Sequence, residues 1–323
     1  MPLPASHTKH LDLLAHPIPR QPDHLLLPLR QISSSSSEGA TKNGNGSTGT
    51  TGTTLWLSGQ VLACYLSSLP LPTTTASSSS KSNPNFGQNG NTPRPRVLEL
   101  GSGIGYTSLC LASFGYEVLA SDIEPVLSGV LSDNVENGLR VMRASMERGR
   151  VGEVVVKNLD WEDVSNRLGK RRRRRGGDND SRAMDDDAME KVEVGSNGEN
   201  GNDDLDWLDD NPWDMIVMTD TFYAPHLIAP LWDTLEYVST SQPASNTTTT
   251  SSPPSTRIPP IYIGIEVRDP PLIAQALEEG RQRGFELKKI GKKRVGKELE
   301  RWGWKSEDWE GVEIWKAKWR GGG

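Results

Sequence analysis

The sequence is short of cysteine, of positive charge and of long apolar runs, and each shortage removes a class of protein. Two cysteines, Cys64 and Cys110, among 323 residues cannot build a disulfide framework or a Cys/His metal cluster. Both lie in apolar stretches with a helical look, so buried reduced thiols are expected. No apolar run approaches the roughly 20 residues of a membrane-spanning helix, and the first residues lack the charged-then-apolar pattern of a secretory leader. The expectation is an intracellular, cytoplasmic protein. A formal net charge of -6 lacks the basic surplus of a nucleic-acid surface, so no direct nucleic-acid binding is expected. Hydrophobic residues make up 34%, low enough to place part of the chain outside any packed core.

That part is easily found. Ser33 to Thr54, Pro70 to Pro95 and Ser239 to Thr256 are rich in Ser, Thr, Asn, Gly and Pro, too polar to bury enough surface to order themselves. A fourth stretch, Gly169 to Asp206, opens with the basic run Lys170 to Arg175 and turns acidic at Asp185, Asp186 and Asp187. Such blocks read as solvated loops. The basic run reads either as a self-neutralising loop or as a nuclear-import signal, which sets a nuclear location beside the cytoplasmic one. Residues 1–54 are read as a partly disordered arm. Residues 55–323 form one domain with disordered insertions at 70–95, 169–206 and 239–256.

Between the insertions strands and helices alternate. Leu55 to Leu69 reads as an amphipathic helix. Strands are expected at Val97 to Leu100, Tyr116 to Asp122, Val151 to Leu159, Trp213 to Thr219 and Ile261 to Val267. Helices follow over Tyr106 to Phe114, Pro125 to Asn137, Pro225 to Tyr237 and Pro270 to Arg283. Phe285 to Ile290 and Gly311 to Trp319 read as an antiparallel hairpin at the sheet edge. The fold class is α/β: a Rossmann-like, mostly parallel seven-stranded sheet with helices on both faces and its binding crevice at the strands' C-terminal ends.

The most informative run is Arg96-Val97-Leu98-Glu99-Leu100-Gly101-Ser102-Gly103-Ile104-Gly105, a strand feeding a glycine loop that lets a ligand approach the backbone. Asp122, ending the next strand, can accept hydrogen bonds from two ribose hydroxyls. The spacing Gly-x-Gly-x-Gly departs from the dinucleotide pattern, and Glu99 suits a cofactor with a cationic amino-acid end. Both points favour S-adenosylmethionine over NAD. Trp161, just beyond a parallel strand, offers either a flat face to a base or simple core packing. Asp220 and Tyr223, after the fourth strand, can position an amine, or else cap the turn and pack. Glu266 and Arg268, ending the fifth strand, read equally as substrate contacts or as a structural ion pair. His226, at a helix start, is expected to face solvent.

These motifs, with Leu55-Trp56-Leu57-Ser58-Gly59-Gln60 and Leu159-Asp160-Trp161, resemble the seven-β-strand (class I) methyltransferases. Within them the chain is similar to the protein-lysine methyltransferases of the valosin-containing-protein lysine methyltransferase group, with a fungal source expected. The resemblance covers Leu55 to about Trp319 outside the insertions. It implies that Gly101, Ser102 and Gly103 line the methionine and ribose of S-adenosylmethionine, that Asp122 holds the ribose diol, and that Trp161 borders the adenine. Trp56 and Thr219 complete the wall, and Asp220 and Tyr223 meet the substrate amine. The implied activity is N-methylation of lysine in an intracellular protein by a monomeric enzyme using no metal and no membrane. A small-molecule N-methyltransferase acting on a nicotinamide-like substrate, and a cofactor-binding interaction module without turnover, are the alternatives.

Overall fold

The structure is a computed structural model, and it describes residues 2–19, 25–32, 51–70, 94–147, 149–176, 203–209, 213–241 and 258–321. Most of each polar segment expected to be disordered lies outside these residues.

The chain begins with a short helix, α1 (Ala5–Thr8), and an antiparallel hairpin of β1 (Leu13–Pro17) and β2 (Leu26–Arg30). Helix α2 (Leu57–Ser67) leads into the alternating part: β3 (Arg96–Leu100), α3 (Tyr106–Ser113), β4 (Glu117–Asp122), α4 (Ser132–Ser145), β5 (Val154–Asn158) and α5 (Trp161–Gly176). Then come β6 (Met215–Thr219), α6 (Pro225–Thr240), β7 (Ile261–Glu266), α7 (Pro270–Gln282), β8 (Phe285–Lys289), α8 (Lys292–Glu300) and β9 (Val312–Trp319). The seven long-range strands form one sheet in the order β5-β4-β3-β6-β7-β9-β8. All pairs from β5 to β7 are parallel, and β9 runs antiparallel to both β7 and β8.

This is the expected α/β architecture. Inner strands are apolar on both faces, as parallel strands covered by helices must be. Val97 and Val217 join the core shared with α2, α3 and α4. Leu98, Leu100, Ile216 and Met218 join the core shared with α5, α6 and α7. Strand order reverses between β3 and β6, which opens a crevice at their C-terminal ends.

Several details differ from the sequence reading. The last two strands do pair antiparallel, but β9 inserts between β7 and β8, leaving β8 at the edge. Helix α8 separates them and was not read, because it buries little beyond Val295 and Leu299. Helix α2 is buried on every side rather than amphipathic, since the N-terminal segment covers its remaining face. Leu14, Ile18, Leu27 and Leu29 belong to the same core. His16 Nε2 and the Leu3 amide both bond Gln60 Oε1 of α2, at 2.9 Å each. Residues placed by sequence in an arm ahead of the domain thus share its interior.

Helix α5 carries the chain through the basic run into the insertion read from Gly169. Arg167 pairs with Asp206 and Asp209, Arg171 with Asp209, and Arg172 with Glu236 at 2.6 Å. The run begins as a helix face clamped to α6 and to residues 203–209 rather than as a loop. Cys64 and Cys110 are buried free thiols; burial pushes the Cys64 thiol up to about 12. Among the described residues no helix is long and apolar enough to cross a membrane.

Candidate active site

A cavity of about 270 Å³ opens where β3, β4, β5 and β6 end. Its first wall is the glycine loop. Gly101, Gly103 and Gly105 all have positive φ (66°, 55° and 81°), a region that side chains resist. Space matters as well: a Cβ on Gly103 would come within 2.9 Å of the Gly52 carbonyl oxygen, and one on Gly101 within 3.1 Å of Thr221 Cγ2. The loop is stitched to β4 through Ser102, whose amide donates to the Ser121 carbonyl and whose Oγ accepts from the Ser121 amide. Asp122 completes this wall. Its Oδ2 accepts from the Gly103 amide at 2.8 Å and its Oδ1 from the Ile123 amide at 2.9 Å. Burial pushes its carboxyl up to about 6 against the pull of those two bonds. Each oxygen keeps a lone pair for a ligand hydroxyl.

The opposite wall is built around Asp220, the one non-glycine residue with positive φ (50°) among the described residues. Its Oδ2 accepts from Ser58 Oγ of α2 at 2.5 Å, and its Oδ1 accepts from the Glu266 amide at 2.7 Å. Burial raises its carboxyl to about 6, opposed by the Ser58 and Glu266 bonds and by nearby Arg268. Tyr223 lines the mouth and is 38% exposed. Burial of part of its ring raises the phenol, and Asp122 and Asp160 raise it further.

The cavity lining brings together Trp56, Gly101, Ser102, Gly103, Asp122, Trp161, Thr219, Asp220 and Tyr223. Trp161 is both lining and core: it is buried in the cluster shared with α5 and α6, and its ring edge lies beside Gly101. Three sequence candidates fall elsewhere, which corrects their expected direct contacts. Glu99 is 1% exposed and absent from the lining; it sits behind the glycine loop, where Ser108 Oγ donates to its carboxylate. Burial pushes Glu99 up to about 7. Glu266 and Arg268 also lie outside the lining. They do not pair with each other as a structural ion pair either. Arg268 stacks over the Trp56 ring, 4.0 Å from its centroid, with Nη2 3.8 Å from Asp220 Oδ1. Glu266 contributes its backbone amide, while its Oε2 is buried without a hydrogen-bond partner among the described residues.

Sequence reasoning missed Gly52 and Thr54, which line the cavity, Gly52 against the glycine loop. They stand at the end of a Ser/Thr/Gly-rich stretch whose composition hides them. Ser58 carried a signal only in its place within the Leu55 to Gln60 motif. His226 is exposed, as expected, yet also lines the mouth.

Residues 40–173 match the family model described as "Lysine methyltransferase". That match runs over β3, β4, β5 and the glycine loop. No curated protein matches the sequence. Solved structures similar to it include magnesium protoporphyrin IX methyltransferase from Synechocystis PCC 6803 with bound SAM (11% identity, 72% of this chain and 73% of that one, TM-score 0.32). Another is ribosomal protein L11 methylase from Lactobacillus delbrueckii subsp. bulgaricus (14%, 72% and 72%, 0.33). A third is an O-methyltransferase from Bacillus cereus in complex with SAH (15%, 70% and 74%, 0.32).

The cavity fits such a cofactor on its own features. The glycine loop leaves no room for side chains, the Asp122 carboxylate has free lone pairs, and Thr221 Oγ1 is buried in the wall with no hydrogen-bond partner among the described residues. A buried hydroxyl left unpaired is costly unless a ligand supplies its partner.

Proposed function

We propose that the protein transfers a methyl group from S-adenosylmethionine to the side-chain amine of a lysine in an intracellular protein. The observation that carries this reading is a single cavity with two unlike walls: the glycine loop and Asp122 on one side, Asp220 and Tyr223 on the other. When bound, the cofactor supplies an electrophilic methyl on a sulfonium. Asp122 holds the ribose diol, Gly101, Ser102 and Gly103 give the methionine end close backbone contact, and Trp161 and Trp56 with Thr219 frame the rest. Glu99 supports the loop from behind, through Ser108.

On the other wall, Asp220 and Tyr223 position the amine. An ammonium cannot attack until it gives up a proton, which passes to solvent at the open mouth; a carboxylate beside a phenol then accepts hydrogen bonds from the neutral amine's N–H groups and fixes the lone pair in line, which lowers the barrier by orientation. Ser58 and the Glu266 amide hold Asp220 in its strained conformation. Tyr223 and His226 stand exposed at the mouth, consistent with a side chain entering from a larger partner.

Incubation with S-adenosylmethionine carrying a labelled methyl group and a matching cell extract tests this. Label is expected on lysine of one or a few proteins. Label confined to the small-molecule fraction would install the small-molecule N-methyltransferase instead. Cofactor binding with no transfer at all would install the interaction module.

A further inference from the structure

Two basic stretches mark the surface, and among the described residues they differ in how many of their charges are paired with carboxylates. Arg167, Arg171 and Arg172 of α5 are paired with Asp206, Asp209 and Glu236. The second run, Lys288-Lys289-Ile290-Gly291-Lys292-Lys293-Arg294-Val295-Gly296-Lys297, holds six basic residues and no acidic one, and all six are exposed. Lys289 pairs with Glu313. None of the other five forms an ion pair with a carboxylate among the described residues.

Topology gathers these charges. The register of the edge strand sets Lys288 directly opposite Lys316 of β9, with Glu286, two residues back along the strand and paired with Arg320, as the carboxylate that feels Lys288. Lys316 Nζ lies 5.5 Å from the Tyr262 ring centroid and Arg294 Cζ 5.8 Å from that of Tyr65. The two rings are 6.3 Å apart. Lys288, Lys316 and Arg294 therefore converge on a patch floored by two tyrosines, and Lys293 and Lys297 stand exposed on the same helix as Arg294. Its distance from the cavity follows from α2. Trp56 lines the cavity at that helix's N-cap, and Tyr65 stands nine residues further, about 14 Å along the axis. An extended peptide covers that span in about four residues.

We propose that this patch is a docking surface for an acidic stretch of the protein substrate, about four or more residues from the lysine to be methylated. The inference rests on the lysine-methyltransferase reading for its biological use, but not for its binding chemistry. Charge complementarity selects the occupant. The patch is local on a chain of net charge -6, so it suits a short run of carboxylates. A nucleic-acid backbone needs a longer basic track.

The full chain is titrated with a fluorescein-labelled ten-residue oligoglutamate, an oligoserine of equal length and a ten-nucleotide RNA. The same titrations are run on the triple variant Lys288→Glu, Arg294→Glu, Lys316→Glu and on the milder Lys288→Ala, Lys316→Ala pair. None of these residues lies in the cavity. Oligoglutamate is expected to bind roughly tenfold or more tighter than oligoserine, to weaken as salt rises, and to lose that advantage in the triple variant. The alanine pair should lose part of it, and S-adenosylmethionine affinity should stay constant throughout. Equal oligoglutamate binding by parent and variants would overturn the proposal, as would tighter RNA binding through the same lysines. Methylation of lysine peptides with an acidic or a Gly/Ser tract four residues away then separates the two readings. Preference for the acidic tract supports docking, and equal methylation of both overturns it. Oligoglutamate binding lost on charge reversal, with cofactor bound and no lysine methylated, supports the surface and counts against the lysine reading.

Discussion

The two walls of the cavity hold their carboxylates in different ways. Asp122 is gripped by backbone amides only, those of Gly103 and Ile123, in a segment where loop and carboxylate are 19 residues apart. Asp220 is gripped by Ser58, 162 residues away on α2, and by the Glu266 amide on β7, and it carries a positive φ. A local backbone cradle is made by one strand-loop-helix-strand unit and suits a fixed small ligand. A strained carboxylate held from two other elements suits a group whose exact placement decides a rate, since strain of about 1 to 3 kcal/mol persists only where the surroundings impose it. The walls should therefore separate binding from turnover.

Asp220→Ala makes the largest break. Turnover should fall roughly 100-fold or more while S-adenosylmethionine affinity stays within a few-fold, because the proposed role of the lost group is to position the amine and not the cofactor. Single-turnover methylation beside calorimetric titration reads both quantities. A parent-like rate would remove Asp220 from the reacting centre, and a parallel loss of affinity would erase the distinction between the walls. The pH profile sharpens the point. With Asp220 raised to about 6 by burial, activity should climb as pH rises through that region, and Asp220→Asn should lose this limb.

Asp122→Ala tests the other wall. Charge-assisted bonds from two ribose hydroxyls contribute about 1.5 to 3 kcal/mol each, so cofactor affinity should fall by at least roughly tenfold. Turnover at saturating cofactor should change far less. Equal affinity in a folded variant would end the ribose role.

Tyr223→Phe should cost less than either, a drop of about three- to tenfold in turnover, because the ring stays and only the hydroxyl goes. No change at all would make Tyr223 a packing residue at the mouth, and the amine would then be positioned by Asp220 alone.

What was legible in the sequence follows the same division. The glycine loop, Asp122, Trp161 and Asp220 were found because an α/β sheet delivers residues after each parallel strand to one edge, and that rule needs only the strand ends. Contributions from distant segments were not legible. Gly52 and Thr54 are hidden by their Ser/Thr/Gly-rich surroundings. The hairpin of β1 and β2 has only two buried residues per strand, too short a pattern to stand out beside low-complexity sequence. Helix α8 is mostly Lys, Arg and Glu. Neighbourhood in sequence misled in one case: Glu99 adjoins the loop, but strand alternation and the Ser108 hydroxyl turn its carboxylate away from the cavity.

Glu99 therefore provides the finest test, with the smallest effect on activity. Glu99→Gln should leave cofactor affinity within a few-fold, because the side chain supports the loop without lining the cavity, and an amide oxygen still accepts from Ser108. Its signature lies in stability. Burial raises the folded-state carboxyl from 4.5 to about 7, so between these values the folded protein holds a proton that the unfolded chain has lost. Stability from this group is fully present below about 4.5, falls as pH rises to about 7, and is level beyond. The full drop is at most about 3 kcal/mol, several degrees in melting temperature for a domain of this size. Asp122 and Asp220 are also raised, to about 6, and titrate in the same direction, but they remain in both proteins and cancel in the difference. Melting temperatures of parent and Glu99→Gln, measured without cofactor from pH 4.5 to 8, should thus diverge in favour of the variant as pH rises. Parallel curves would mean that Glu99 is not held as a buried neutral acid. A tenfold loss of cofactor affinity would instead return Glu99 to the binding wall beside Asp122.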